Sequence, residues 1–335
     1  MEKQSTTSKW KRRVLSIPLL FLFSTLLLSG APIFLLLSLL TDLIRSRKWP
    51  TTRCFLYILL FVSCEVIGVL VATWGWIICR SREDLLAFTV RLQIWWTGVL
   101  YGGLLRIFSM KVDLEGDDCL KMGPMLVFLR HISAADTIIP SGLILRPHKI
   151  HLRYVMKAEL LWDPCLDIAC NRLPNLFIKR TSEKRDENLA GIRSIARDLS
   201  EKEGVLFYPE GTRFTPSKLN QVREKLSSGS PDHLVESMNR LEHVLPPKLG
   251  GTLTLVRAAP EVDVVFMATY GLDAVTTFAN LINGGLVGHP LRIRCWRVPH
   301  SEIPREQEAQ EKWLLEEWEK MDRIVGELKS ADAAD

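Results

Sequence analysis

The sequence lacks the features that mark several protein classes. Its seven cysteines, at 54, 64, 79, 119, 165, 170 and 295, form an odd and scattered set, which argues against a disulfide framework. Cys165 and Cys170 are too far apart for a CxxC knuckle, and no HExxH or Cys/His cluster completes a metal site, so no metal is expected. There is no G-x-S-x-G turn to carry a serine nucleophile, and no internal repeat. The positive excess is small, 43 Lys+Arg against 38 Asp+Glu in 335 residues, so no nucleic-acid partner is expected. Charge is missing altogether from Val14 to Thr41, and Cys54 to Cys79 contains only Glu65. Those two stretches speak against a wholly soluble protein.

As a helix, the 28 residues Val14 to Thr41 would cover about 42 Å, more than a bilayer core of about 30 Å. The run is longer than a signal-peptide core and a second hydrophobic segment follows, which favours a retained anchor. Pro18 and Pro32 interrupt it, and the joining stretch Asp42 to Arg53 carries Arg45, Arg47, Lys48 and Arg53. Two crossings would put this basic loop opposite the basic N-terminus. A re-entrant hairpin would keep both on one side, the cytoplasmic side by the positive-inside tendency, and both readings stay open. Glu65 reads as a packed, protein-paired carboxyl. Glu83 to Phe108 reads as a third helix, with Arg91 and Arg106 among Trp95, Trp96 and Tyr101, suited to the headgroup region or to packing on a soluble domain. Residues 1–108 are thus expected to form a membrane-associated helical region.

From Met110 the pattern changes to short apolar runs alternating with helical periods, the signature of an α/β unit over 109–300. Met110 to Leu114, Met125 to Leu129, Leu152 to Met156, Val205 to Tyr208, Val262 to Ala268 and Leu291 to Val298 read as strands. Lys218 to Pro247 is polar and reads as a surface insertion, with a lid as the minority reading. In residues 301–335 a stripe of Leu314, Trp318, Met321, Val325 and Leu328 predicts a helix packed back on the domain.

Chemistry concentrates where apolar runs end. Met125-Leu-Val-Phe-Leu-Arg delivers His131 and Asp136 beyond a strand, where α/β proteins build sites. A histidine takes a proton from an alcohol near neutral pH if a partner holds its tautomer, and a carboxylate five residues on can fold back to do so. Gly204-Val-Leu-Phe-Tyr-Pro runs into Glu210, Gly211, Thr212 and Arg213: a glycine for close backbone approach, a guanidinium fork for phosphate, and a carboxylate for a hydroxyl or cation. Leu176-Phe-Ile-Lys179-Arg180 repeats the layout with a basic pair.

In this order the three stretches resemble the glycerolipid acyltransferase family, of the 1-acylglycerol-3-phosphate acyltransferase type. His131, Ser133 and Asp136 match its His-x4-Asp motif; Phe177, Ile178 and Arg180 match its second; Phe207, Pro209 and Glu210 to Arg213 match its third. Tyr154 to Leu160 is similar to its Lys-x-Glu-Leu stretch. Arg130 departs from the pattern, standing where asparagine commonly precedes the histidine. The resemblance implies a mixed sheet flanked by helices behind an N-terminal membrane hairpin. It also implies transfer of a fatty acyl group from an acyl thioester to a lysophospholipid hydroxyl at a membrane. His131 and Asp136 would be catalytic, with Arg180, Glu210, Gly211, Thr212 and Arg213 holding the acceptor's phosphate. Acyl-CoA or acyl carrier protein would be the donor, as substrate rather than cofactor. Glycerol-3-phosphate and other lysophospholipids remain alternative acceptors, and an esterase or thioesterase is the competing class.

Overall fold

The computed structural model describes residues 6–45, 48–179, 184–226, 232–273 and 278–334. Three long helices come first: α1 (Thr6–Arg45), α2 (Pro50–Ile78) and α3 (Arg82–Ile107). Helix α1 runs through Pro18 and Pro32 without ending, so the prolines do not break the run as the sequence suggested. The turn into α2 has a left-handed Trp49 and no capping side chain of its own. Asp42 replaces it from across the hairpin, accepting from the backbone N–H of Thr51 (3.1 Å) and Thr52 (2.8 Å). Two donors that the start of any helix leaves unpaired are thereby satisfied.

The sheet contains β1 (Val112–Glu115), β2 (Met125–Leu129), β3 (His151–Lys157), β4 (Leu176–Ile178), β5 (Glu203–Phe207), β6 (Asp263–Tyr270) and β7 (Leu291–Val298). Their spatial order is β1-β7-β6-β2-β5-β3-β4. Among the described residues only the β6–β7 pairing is antiparallel, so the sheet is mixed, as expected. Strand β2 is apolar and buried on both faces, as the middle of a covered parallel sheet requires. Its alternation feeds two layers. Met125, Val127 and Leu129 join a core with Leu100, Leu104 and Phe108 from the α3 side. Leu126 and Phe128 join another with helices α6 (Arg185–Ile195), α9 (Leu249–Ala258) and α11 (Gln307–Ala334).

Two expectations change. Lys218 to Pro247 is not a loop among its described residues. It supplies α7 (Pro216–Leu226), α8 (Asp232–Arg240) and a terminal stretch in which Leu241, Val244 and Leu245 are buried; Ser227 to Pro231 lie outside the described residues. The sparse apolar residues at the end of the segment are spent on the core, which its polar composition concealed. Helix α11 packs on the domain as expected, but Trp313, Leu314, Trp318 and Met321 sit in the same core as the sheet. A boundary at residue 300 therefore cuts one continuous core.

The hairpin lies along the α/β body. Arg53 donates to the Ser109 hydroxyl at 2.8 Å, Glu65 accepts from the Trp96 indole at 3.1 Å, and Arg172 donates to the Ala72 carbonyl at 2.9 Å. The Glu65 carboxyl also hydrogen-bonds to Asp163, which caps α5 (Pro164–Cys170), so it is packed and protein-paired as expected. At Gly68 an added Cβ would come within 2.4 Å of the Cys165 sulfur. From Arg53 to Ala72 the helix stays on the body for about 29 Å. Helix α1 is anchored near its start, where Arg12 (2.5 Å) and Arg13 (2.8 Å) meet the carboxylate of Asp167, whose side chain is wholly buried. These arginines of the basic N-terminus therefore serve an internal ion pair.

Removing one partner of a buried ion pair strands the other charge. Asp167→Ala is expected to lower stability by about 3 kcal/mol, the low end of that range because Arg13 is partly exposed. Thermal unfolding of the solubilised protein measures it, with faster proteolysis within α1. An unchanged midpoint and cleavage rate would rule out this anchor.

Candidate active site

Strands β2 and β5 are parallel neighbours, with Phe128 opposite Phe207, so their carboxyl ends release two loops side by side. The first carries His131 and Asp136, the second Tyr208 to Arg213. Beyond β2 the chain enters a short 3₁₀ turn, Ala134–Thr137, capped by Ser133, whose hydroxyl accepts from the Ala135 N–H at 3.0 Å. Asp136 is the third residue of this turn and its carboxylate reaches back. One oxygen, Oδ2, accepts from the amides of Ile132 (2.5 Å) and Ser133 (2.8 Å) and lies 3.0 Å from Nδ1 of His131. An oxygen serving two amides is an acceptor, so Nδ1 is the ring donor and Nε2 keeps its lone pair. Asp136 is buried, and the His131 side chain remains 14% exposed, enough for an alcohol to approach. The Tyr208 ring covers one face of the imidazole, with centroids 4.4 Å apart.

Glu210 has a different place from the phosphate-side role expected of it. Its carboxyl is buried, with Oε1 accepting from the His131 amide at 3.0 Å and Oε2 from the Leu245 amide at 3.3 Å. Both oxygens thus tie three backbone segments together. The His131 carbonyl completes the frame by accepting from the Phe214 N–H at 2.7 Å. Burial raises the Glu210 carboxyl to about 8, against the lowering by the His131 amide and the Arg130 charge. Arg130, itself buried, donates to the Thr269 carbonyl at 2.8 Å and pairs with Asp273 at 2.5 Å. The residue that departs from the family pattern is a strut between β2 and the end of β6.

Gly211 takes φ +64, a left-handed turn that glycine adopts freely, and an added Cβ would press on the Lys248 side chain at about 3.1 Å. Arg213 is exposed. Its charge is felt by the buried Tyr208 hydroxyl, where it opposes the strong rise that burial imposes on the phenol. Lys218, in the first turn of α7, donates to the Thr212 hydroxyl (3.2 Å) and the Arg213 carbonyl (2.8 Å). His131, Asp136, Gly211, Thr212 and Arg213 therefore share one end of the sheet, whereas Arg180 lies outside the described residues. Lys218, Lys248 and Tyr208 were missed as site residues. Lys248 is brought back at the start of α9 and no spacing signals it, whereas Lys218 lies only five residues beyond Arg213 and could have been read as part of the same turn. Tyr208 stood inside the third motif, and its neighbours there were the available clue.

A helix-flanked mixed sheet presents a His–Asp pair and a cationic Gly-Thr-Arg turn at the ends of adjacent strands, and the family model described as Acyltransferase matches residues 111–259. Among its relatives, the mouse (Mus musculus) 1-acyl-sn-glycerol-3-phosphate acyltransferase epsilon is 25% identical over 236 residues, 66% of this chain and 62% of that protein. A probable 1-acyl-sn-glycerol-3-phosphate acyltransferase 5 of Arabidopsis thaliana is 22% identical over 285 residues, 82% of this chain and 73% of that protein. The chain thus spans less than two thirds of the mouse relative. The crystal structure of the 1-acyl-sn-glycerophosphate acyltransferase PlsC from Thermotoga maritima aligns with a TM-score of 0.49 at 17% identity, over 82% of this chain and 96% of that one.

The raised Glu210 carboxyl makes stability depend on pH. Folded, it holds its proton to about 8; unfolded, it releases it near 4.5. Its contribution is therefore complete below about 4.5, declines as pH rises, and is lost once pH passes about 8. The melting temperature is expected to fall between pH 6 and pH 9 more in the wild type than in Glu210→Gln, which has no proton to lose. Parallel curves for the two proteins would refute a protonated Glu210.

Proposed function

We propose that this chain is a membrane-held O-acyltransferase. It would move a fatty acyl group from an acyl thioester to the free hydroxyl of 1-acylglycerol-3-phosphate, giving phosphatidic acid. The observation that carries the reading is the 3.0 Å contact of His131 Nδ1 with a buried Asp136, which reserves Nε2 for the substrate alcohol. The hydroxyl proton passes to Nε2, Asp136 supports the imidazolium, and the alkoxide attacks the thioester carbonyl. The tetrahedral species then collapses with loss of the thiolate, which takes back the proton. No enzyme nucleophile enters, and Ser133 is engaged as a helix cap. The relatives named for 1-acyl-sn-glycerol-3-phosphate support the choice of acceptor.

The acceptor's phosphate is received by the Gly211, Thr212 and Arg213 turn, with Arg180 joining as the sequence pattern suggests. A dianion favours a guanidinium fork and close backbone. Lys218, already on this turn, adds positive charge beside it. Glu210 does not touch the ligand; it positions His131.

The hairpin holds the site to a bilayer by lying on it. Leu19, Leu22, Leu26, Ile33, Leu36 and Leu43 of α1 are each more than half exposed, a long apolar face without a protein partner. Because α2 stays on the α/β body along its length, an upright crossing would carry that body into hydrocarbon. Insertion into one leaflet avoids this and supports the re-entrant reading, with the body on the cytoplasmic side where acyl thioesters are made. Each acyl methylene withdrawn into water costs about 0.8 kcal/mol, so chemistry at the interface spares the lipid that transfer.

His131→Ala is expected to lower turnover by at least about 10²–10⁴-fold, the usual contribution of a general base, with folding intact. The assay crosses acyl-CoA and acyl carrier protein with lysophosphatidic acid, glycerol-3-phosphate and lysophosphatidylcholine. Transfer to lysophosphatidic acid supports the proposal. Retained transfer in His131→Ala removes the base, and thioester hydrolysis without any acceptor points to an esterase instead.

A further inference from the structure

The His131 frame extends beyond the motif loops to the C-terminal helix. Glu210 shares its carboxyl between the amides of His131 and Leu245, so the position of Leu245 bears directly on that of the base. The stretch before Leu245 has no regular secondary structure, and helix α11 shapes it. One oxygen of Asp322, Oδ1, accepts from three consecutive amides: Glu242 at 2.9 Å, His243 at 2.6 Å and Val244 at 3.0 Å. A wholly buried Trp318, one turn earlier, donates its indole N–H to the Leu245 carbonyl at 2.8 Å. Helix and loop meet closely at Gly326, where an added Cβ would lie 3.0 Å from the His243 ring. A continuous path of hydrogen bonds therefore runs from α11 through Leu245 and Glu210 to the backbone of His131.

Resting on the acyltransferase reading, we infer that Asp322 and Trp318 are positioning residues for the reaction. They fix the loop at 241–245, and with it Glu210 and the catalytic histidine. Neither touches substrate. Both lie far from the two motifs in sequence; Trp318 belongs to the apolar stripe that packs in the core but turns its indole N–H to the loop, and Asp322, outside the stripe, aims its carboxylate there. Stability alone would need only the stripe. A carboxylate gathering three amides sets the loop's conformation as well.

The test uses the full chain in detergent, assayed with acyl-CoA and lysophosphatidic acid. Asp322→Ala should lower kcat by about 10–100-fold, as sub-ångström displacement of a catalytic group does, with KM for both substrates nearly unchanged. Asp322→Asn keeps a carbonyl oxygen in the same place and should restore most of the loss. Hydrogen exchange supplies a readout independent of turnover: peptides covering 128–134 and 243–247 should exchange faster in Asp322→Ala while cooperative unfolding persists. If Asp322→Ala does not fold, Trp318→Phe removes the indole hydrogen bond while keeping an aromatic ring in the core, at some loss of packing, and should show a smaller kcat loss with the same exchange pattern. A fall in melting temperature with kcat within about twofold of wild type overturns the inference, as does unchanged exchange at 128–134. Absence of turnover in the wild type overturns the acyl-transfer reading instead, and the exchange data still decide whether α11 holds His131.

Discussion

Much of the site depends on one oxygen. Oδ2 of Asp136 receives the imidazole and two successive backbone amides, and it does so in a buried setting. The three contacts act together. The amides fix the turn that returns Asp136 toward the strand end, and the turn places the carboxylate where the ring must meet it. A carboxylate that only accepts assigns the ring's proton to Nδ1, so chain geometry and chemical role follow from the same contact. The His-x4-Asp spacing has a physical reason: Ser133 caps a turn in which Asp136 is the third residue, and the third residue of a capped turn reaches back to the N-terminal amides.

Around this oxygen the protein builds a second frame from a group that is costly to bury. Glu210 sits inside with both oxygens on backbone amides, close to the equally buried Arg130. A buried carboxyl without partners would be a liability, and here its partners are the main chains of His131 and of the loop before α9. The third motif thus divides between two tasks. Its glutamate faces inward and holds the histidine, while its glycine, threonine and arginine face outward. The sequence alone could not separate them, because neighbours in a tight turn point in opposite directions and one-dimensional spacing does not record which side is solvent.

The same distinction governs how much of the fold was legible. All six strand runs named from apolar patterning became strands: β2, β5 and β6 are buried on both faces and read as continuous apolar runs, while β1, β3 and β7 are buried on alternate residues and read by their period of two. The His131 and Asp136 pair was legible because local turn geometry alone brings its members together. Lys248 was not, since its approach to the Gly211 turn depends on how the chain returns to the sheet before α9, whereas Lys218, five residues beyond Arg213, reaches back locally and was passed over as part of a polar segment. The segment 218–247 was misread for a related reason: few of its residues are apolar, but those few are buried, and composition averages them away. Arg12 and Arg13 read only as part of a basic N-terminus because their partner, Asp167, lies more than 150 residues away in the sequence.

Arg12 and Arg13 also bear on how the two halves of the molecule work together. A helix joined to a soluble domain only by a linker could cross a bilayer in any orientation the lipid favoured. Here α1 is held near its start by Asp167, and α2 is held along its length by Arg53, Glu65, Gly68 and Ala72. The apolar outer face of α1 therefore has a fixed direction relative to the strand ends that carry His131. On the proposed reading, a rigid angle between a lipid-facing surface and the strand ends that carry His131 would set the depth and tilt at which an amphiphilic acceptor is met, which a flexible tether would leave to chance. The buried polar contacts between hairpin and body thus carry out, at the scale of the whole chain, the orienting task that Asp136 performs for a single ring.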